Sequence, residues 1–79
     1  MRMDKYLKVS RLIKRRTVAK RACNDGNVFI NGKEAKPSSE VNIGDHIRIE
    51  FGQTTVKVEV LDTKKHVRKG KADTMYTYL

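Results

Sequence analysis

The sequence predicts an α+β domain in which two short amino-terminal helices pack on a small, strongly bent antiparallel sheet. Three observations carry this prediction. The chain has 79 residues, which is the size of one small domain. Apolar residues recur every three or four positions up to about residue 24 and every second position afterwards. Asn31-Gly32, a strong short signal for a β-hairpin, follows the change of period.

The first helix is predicted within residues 3–15. Apolar residues recur there at helical spacing, at Met3, Tyr6, Leu7, Val9 and Ile13. Asp4 near the start suits the positive end of the helix dipole. A helix of this length would place Lys8, Arg11 and Arg15 on one stripe.

The second helix is predicted from about Arg16 or Thr17 to Asn24. Its expected apolar face comprises Val18, Ala19, Ala22 and Cys23. Thr17 is the expected cap, and Gly26 is expected to end the helix in a left-handed conformation. Cys23 is expected to be a small buried residue rather than a nucleophile, since no histidine is near it in sequence.

The sheet is predicted from alternating strands. Residues 28–30 and 34–35 flank the hairpin turn. Two longer strands follow, with apolar residues at Ile47, Ile49 and Phe51 and then at Val56, Val58 and Val60. Pairing Phe51 with Val56 would set Glu50 opposite Lys57 and Arg48 opposite Glu59 on the outer face. The outer face is therefore expected to neutralise its own charge, with His46 also on it.

Two parts of the chain are distinguished by composition. Residues 1–61 are expected to form the folded domain, and residues 62–79 a basic tail. Within the tail, residues 62–73 are expected to be a mobile arm that adds nonspecific attraction through Lys64, Lys65, Arg68, Lys69 and Lys71. Its apolar end, with Met75, Tyr76 and Leu79, is expected to dock back on the domain. Contact with a partner is the alternative.

Positive charge is concentrated at the amino terminus. The net charge is +9, and residues 1–23 hold nine basic residues and one acid, whereas residues 24–61 hold four basic and six acidic residues. Such segregation is typical of a protein that binds a polyanion. The predicted RNA-binding residues are Arg2, Asp4, Lys5, Lys8, Arg11, Lys14, Arg15, Arg16 and Lys20. If they neutralise roughly four to six phosphates, log affinity should fall against log salt with a slope of about −3 to −5.

Three residues of this segment have competing interpretations. Asp4 either orients Arg2 or Arg16, or is a helix-start residue paired with Lys8. Tyr6 either stacks on a base or packs with its hydroxyl exposed, and the packed form is favoured. Arg16 either contacts RNA or, together with Arg15, only adds solubility, and the RNA contact is favoured. It is at the start of the second helix, where a cation is unfavourable by ~0.3–1 kcal/mol until a phosphate binds there.

Several functional classes do not fit the sequence. His46 and His66 lack metal-ligand spacing, no acid/base constellation is recognisable, and we expect no catalytic residue, metal or cofactor. The lone Cys23 and the absence of a secretory pattern favour a reducing cytosol. DNA binding would require base-reading residues on a helix, and Asn24 and Gln53 are poor candidates. A membrane-surface peptide would require a long apolar face, which Lys14-Arg15-Arg16 interrupts.

Five segments occur in one order with characteristic spacing: RMDKYL (2–7), RLIKRRTVA (11–19), GNVFING (26–32), KPS (36–38) and GDHI (44–47). Over about residues 1–61 the chain resembles the S4 RNA-binding domain. The resemblance implies the S4-type (alpha-L) fold and assigns Arg16 to ribosomal RNA. The chain departs from the family pattern where a capping box of Ser and Glu is replaced by Arg15 and Val18.

The run KVSRLIKRR (8–16) and the ending MYT (75–77) resemble the stand-alone S4 proteins of ribosome-associated quality control, relatives of the small S4-type heat-shock proteins. This resemblance implies a noncatalytic, monomeric, cytoplasmic and ribosome-associated factor that binds rRNA and tRNA. Its implied partners are the intersubunit-bridge helix of 23S rRNA on the free 50S subunit, a stranded peptidyl-tRNA held in the P site, and RqcH, whose alanine tailing it supports. The alternative is a heat-shock-type protein that recycles stalled 50S–peptidyl-tRNA complexes without tailing.

Overall fold

The computed structural model describes residues 1–64 and 72–79, and it has the predicted α+β architecture. Helices α1 (Met3–Val9) and α2 (Arg16–Asn24) come first. A five-stranded antiparallel sheet follows, in the order β2-β1-β3-β4-β5. Its strands are β1 (Val28–Ile30), β2 (Lys33–Glu34), β3 (His46–Phe51), β4 (Thr54–Val60) and β5 (Tyr76–Tyr78), with a 3-10 turn at Ala72–Met75 before β5.

The core lies between the two helices and the inner face of the sheet. Its fully buried side chains include Met3, Tyr6, Leu7, Ala19, Val28, Ile47, Ile49, Val58, Val60 and Met75. Tyr6 has no exposed surface, and its hydroxyl donates a 2.7 Å hydrogen bond to the Met75 carbonyl. The expectation that the Tyr6 hydroxyl is exposed was therefore wrong, because the segment before β5 covers it.

Helix α1 is shorter than predicted. It ends at Val9, and Arg11 adopts a left-handed conformation with φ 63°. Ser10 is buried, and its hydroxyl donates to the Leu7 carbonyl at 3.3 Å. The Ile13 N–H donates to the same carbonyl, so the chain folds back and buries Ile13. Lys8, Arg11 and Arg15 consequently do not form the predicted stripe on one helix.

Helix α2 has the predicted bounds but is not capped as predicted. Arg15 occupies the N-cap position without a side-chain cap, so the expected capping by Thr17 was wrong. The end is a Schellman motif at Gly26, with φ 78°. Cys23 is buried as predicted, whereas Val18 is 48% exposed and does not belong to the buried face.

The hairpin between β1 and β2 has the predicted turn. Asn31 and Gly32 have φ values of 50° and 83°, and positive φ at both central residues is what a type I′ turn requires. The Asn31 side chain also accepts a 2.9 Å hydrogen bond from the His46 N–H. The turn is thereby tied to the start of β3.

The register of β3 and β4 differs by two residues from the predicted one. Ile49 pairs with Val56 and Ile47 pairs with Val58, because the turn contains only Gly52-Gln53. On the outer face, Arg48 lies opposite Lys57 rather than opposite Glu59. The predicted pairs of opposite charge were therefore wrong, although His46 does lie on the outer face.

The carboxyl end adds a strand that the sequence pattern did not predict. Strand β5 pairs with β4 in antiparallel register, and Met75 just before it is fully buried. Leu79 is 59% exposed. The predicted mobile arm lies largely outside the described residues, and so do Lys65, His66, Arg68, Lys69 and Lys71.

Candidate RNA-binding site

The first turn of α1 is held against the loop between β2 and β3. The Met3 N–H donates to the Ser39 carbonyl at 2.8 Å, and the Asp4 N–H donates to the Pro37 carbonyl at 3.1 Å. These bonds satisfy two N–H groups that have no partner within the helix. They also fix the position of the Asp4 carboxylate, which is fully buried.

Two arginines from separate elements contact this one carboxylate. Arg2 donates from Nε and Nη2 to the two Asp4 oxygens, each at 3.2 Å, and Arg16 donates from Nη2 to Oδ1 at 3.3 Å. The Lys5 backbone N–H donates to Oδ1 at 2.8 Å. The two-point contact fixes the Arg2 guanidinium plane as well as its position. We call Arg2, Asp4 and Arg16 the Asp4 cluster.

The cluster is buried at its centre and open at its edge. The side chains of Arg2 and Arg16 are 49% and 45% exposed, whereas Asp4 has no exposed surface. Each guanidinium has five N–H donors, and only some of them are used by Asp4. N–H donors of both guanidiniums therefore remain available to solvent, and the contacts with buried Asp4 fix their positions.

The Asp4 carboxyl is ionised at neutral pH. Burial raises its pKa, but the hydrogen bonds from Arg2, from Arg16 and from the Lys5 N–H outweigh burial and hold the pKa below its ordinary value. The charge balance at the centre of the cluster is therefore two cations to one anion, which leaves a net positive charge facing solvent.

These contacts decide between the two interpretations of Asp4. Within the described residues Asp4 forms ion pairs with Arg2 and Arg16 and none with Lys8. The structure therefore has the contacts that the expected orienting role of Asp4 requires. Asp4 makes these contacts with both Arg2 and Arg16. A role for the cluster in RNA binding stays a prediction.

The other predicted binding residues lie on the surface of the helical region. Lys5 is half-buried, and five residues are exposed: Lys8, Arg11, Lys14, Arg15 and Lys20. In the part of the chain that the structure describes, none of the six forms an ion pair. Their charge is therefore not neutralised by a neighbouring acid and can attract phosphate.

Burial raises the pKa of Cys23 to about 11, so this thiol is protonated at neutral pH. In residues 1–64 and 72–79, no three His, Cys, Asp or Glu side chains are grouped as metal ligands would be. Among the described helices, none has the length and apolar character needed to cross a membrane.

The outer sheet face is organised differently. The Arg48 guanidinium lies 4.1 Å from the centre of the Phe29 ring, a cation–π contact that the sequence pattern did not reveal. Its Nη2 is 3.8 Å from Glu50 Oε1, and His46 Nε2 is 3.6 Å from Glu59 Oε1. Acidic and basic side chains alternate here without a buried ion at the centre.

Comparison with known proteins gives consistent similarities. The profile of the S4 domain matches residues 1–47. The RQC P-site tRNA stabilizing factor of Bacillus subtilis is 52% identical over 79 residues, which is all of this chain and 92% of the relative. The protein of that name from Halalkalibacterium halodurans is 53% identical over 76 residues, covering 96% of this chain and 86% of the relative.

A solved structure shows the same fold. Heat shock protein 15 of Vibrio cholerae, described as trimeric, superposes with a TM-score of 0.92 at 30% identity. The match covers all of this chain and 81% of that one. The two-helix and sheet arrangement is thus shared over the whole length of the chain.

Proposed function

Because this chain belongs to the S4 domain family and, within it, to the group of RQC P-site tRNA stabilizing factors (RqcP), we propose that it is a noncatalytic RNA-binding factor that stabilises P-site tRNA in ribosome-associated quality control. The cation-rich helical region is the proposed contact surface. The Asp4 cluster is its proposed centre, with Lys5, Lys8, Arg11, Lys14, Arg15 and Lys20 around it.

The observation that carries this proposal is the fixation of two half-exposed guanidiniums by one buried carboxylate. Structured RNA is recognised chiefly through its shape, its phosphates and its 2′-hydroxyls. An arginine can grip a phosphate with two parallel hydrogen bonds, and one that is already oriented loses less side-chain entropy on binding. The Asp4 cluster therefore suits a phosphate ridge of fixed geometry.

In finer detail, the proposed site of action is the free 50S subunit that holds a stranded peptidyl-tRNA. The protein would contact the intersubunit-bridge helix of 23S rRNA and the tRNA at the same time. Release of the tRNA would then require both interfaces to break, which raises its effective affinity for the P site. A tRNA held in this way would support alanine tailing of the nascent chain by RqcH.

The alternative is recycling of stalled complexes without tailing, as a heat-shock-type S4 protein. Similarity favours the quality-control role, since identity is 52% to the Bacillus subtilis factor and 30% to the Vibrio cholerae heat shock protein. The fold itself does not separate the two functions, because this chain shares its fold with heat shock protein 15 of Vibrio cholerae.

Crosslinking in cells followed by sequencing of the attached RNA tests the RNA partners. For the native protein we expect reads from 23S rRNA and tRNA to dominate, and we expect Arg16→Ala to deplete both. Arg48→Ala is the matched control, because it removes the same charge from the outer sheet face. Recovery dominated by messenger RNA would overturn the ribosomal assignment.

Tailing in a reconstituted system separates the two functions. Purified 50S–peptidyl-tRNA complexes are incubated with RqcH and alanyl-tRNA, with and without the protein. We expect longer alanine tails with the native protein and shorter ones with Arg16→Ala. Unchanged tails together with faster loss of peptidyl-tRNA from the subunit would instead establish the recycling function.

A further inference from the structure

A groove of about 390 Å³ borders the Asp4 cluster. Its volume is within the range of about 300–1,000 Å³ typical of small-ligand sites. It runs between the end of α2 and the loop that follows β2, and its lining includes Arg2, Asn24, Glu34, Lys36, Pro37 and Ser38. Arg2 therefore belongs both to the Asp4 cluster and to the lining of the groove.

Hydrogen bonds from backbone N–H groups hold both walls of the groove. The Lys36 N–H donates to the Ser39 hydroxyl at 2.8 Å, and the Ala35 N–H donates to the Val28 carbonyl at 2.8 Å. On the opposite wall, the Schellman motif closes α2 with a 3.0 Å hydrogen bond from the Asn27 N–H to the Ala22 carbonyl. A ligand would consequently lose little free energy in ordering the walls.

A phosphate would be repelled near Glu34, although the groove lies beside a cationic surface and Arg2 and Lys36 also line it. Glu34 projects over the end of α2, where a Cβ added at Gly26 would lie 3.3 Å from Glu34 Oε1. The carboxyl end of a helix carries partial negative charge, so a carboxylate is unfavourable there unless a donor binds it. Within residues 1–64 and 72–79, Glu34 has no ion-pair partner.

Asn24 and Ser38 add further polar groups to the groove, and Pro37 and Arg2, whose side chains carry flat groups, also line it. Unpaired RNA bases are recognised by this combination, since they stack on apolar or guanidinium planes and are read along their hydrogen-bonding edges. A carboxylate accepts from an exocyclic amino group such as N4 of cytosine, whereas uracil has the acceptor O4 at that position, which a carboxylate repels.

We propose that this groove binds one unpaired RNA base that carries an exocyclic amino group, with Glu34 as acceptor and the Arg2 plane as stacking surface. Lys36 at the rim would contact the phosphate of the same nucleotide. The proposal rests on the proposed function in that RNA reaches the Asp4 cluster, and it adds base selection to a surface that otherwise reads shape and charge.

The test compares two mononucleotides that differ only in the base edge. The native protein, labelled with ¹⁵N, is titrated with CMP and with UMP at equal ionic strength, and shifts of the Ala35 and Ser38 amides and of the Asn24 side-chain amide are followed. We expect CMP to bind about tenfold more tightly than UMP, which is the effect of one hydrogen bond to a charged group.

Glu34→Gln is the decisive variant, and Glu59→Gln on the outer sheet face is its control with the same change of charge. We expect Glu34→Gln to abolish the preference for CMP and Glu59→Gln to retain it. Equal tightening of CMP and UMP by Glu34→Gln would show that Glu34 only repels phosphate, and would overturn the proposal. Absence of shifts at the groove with either nucleotide would also overturn it, while ribosomal crosslinks through Arg16 would leave the proposed function intact.

Discussion

The helical region and the outer face of the sheet both carry arginine and lysine, yet their charges are arranged in opposite ways. In the helical region, one buried acid holds two arginines whose outer edges face solvent. On the sheet, Arg48 lies opposite Lys57 and is balanced by Glu50 at 3.8 Å, with every partner partly exposed.

The two regions differ in the burial of the acid rather than in the number of cations, and burial determines how firmly the arginines are held. Exposed ion pairs contribute a median of about 0–1 kcal/mol and leave both side chains free to move. A buried carboxylate has few alternatives to its partners, so it holds them in one geometry. We therefore propose that RNA binds the helical region and not the sheet face.

The largest expected effect is on RNA affinity. Arg16→Ala should weaken binding to purified 50S–peptidyl-tRNA complexes by roughly 10- to 100-fold, since it removes a hydrogen-bonded charge from a preset position. Arg48→Ala should change the affinity less than twofold, although it removes the same charge. Equilibrium binding at fixed salt measures both, and similar losses in the two variants would erase the distinction between the regions.

The second effect separates orientation from net charge. Asp4→Asn adds one positive charge to the protein, yet we expect weaker RNA binding because Arg2 and Arg16 lose their common partner. The free energy of unfolding should also fall by about 1–3 kcal/mol, since hydrogen bonds to a charged group are lost. Urea denaturation and RNA titration measure the two quantities. Glu59→Gln is the control, and tighter binding in both variants would mean that charge alone matters.

The third effect is a pH dependence that only the buried acid should produce. The pKa of Asp4 is lowered in the folded state, so its contribution is complete above the unfolded pKa of about 4 and is lost as the pH falls through the folded value. The stability difference between the native protein and Asp4→Asn should thus be constant from about pH 5 to 7 and shrink below about pH 4. Denaturation curves over this range would reveal a constant difference if Asp4 were not the titrating group.

The smallest effect concerns the sheet. Lys57→Glu should stabilise the protein by about 0.2–1 kcal/mol, because it places an acid opposite Arg48. RNA affinity should change little, although the net charge falls by two. Thermal or urea unfolding measures the gain, with Lys57→Ala as the variant that removes repulsion without adding attraction. A large loss of RNA affinity would place the sheet face in the binding surface.

The parts of the fold that were predicted correctly are set by local chemistry. Gly26 and Asn31-Gly32 adopt positive φ, which these residue types favour, and so the end of α2 and the first hairpin could be located from sequence. The β3–β4 register could not, because a slip of two residues keeps the same side chains on the inner face. Only the length of the turn at Gly52-Gln53 decides it.

Other features depend on contacts between distant residues. The end of α1 follows from the burial of Ser10 and Ile13, and the apolar spacing alone would have continued the helix. The Tyr6 hydroxyl meets the carbonyl of Met75, 69 residues away. For the proposed site, the concentration of positive charge in the sequence indicated the helical region. The groove has no signature in the sequence, because it joins residues of α2 to the loop after β2.

The most direct test of the account uses two double variants with the same net charge. Arg2→Ala/Arg16→Ala and Arg48→Ala/Lys57→Ala each remove two cations, and their binding to 50S–peptidyl-tRNA complexes is measured as a function of salt. We expect the first variant to bind at least ~100-fold more weakly, with a salt slope lower in magnitude by about 2, and the second to keep native affinity and slope. Equal losses of affinity and slope in both would contradict it.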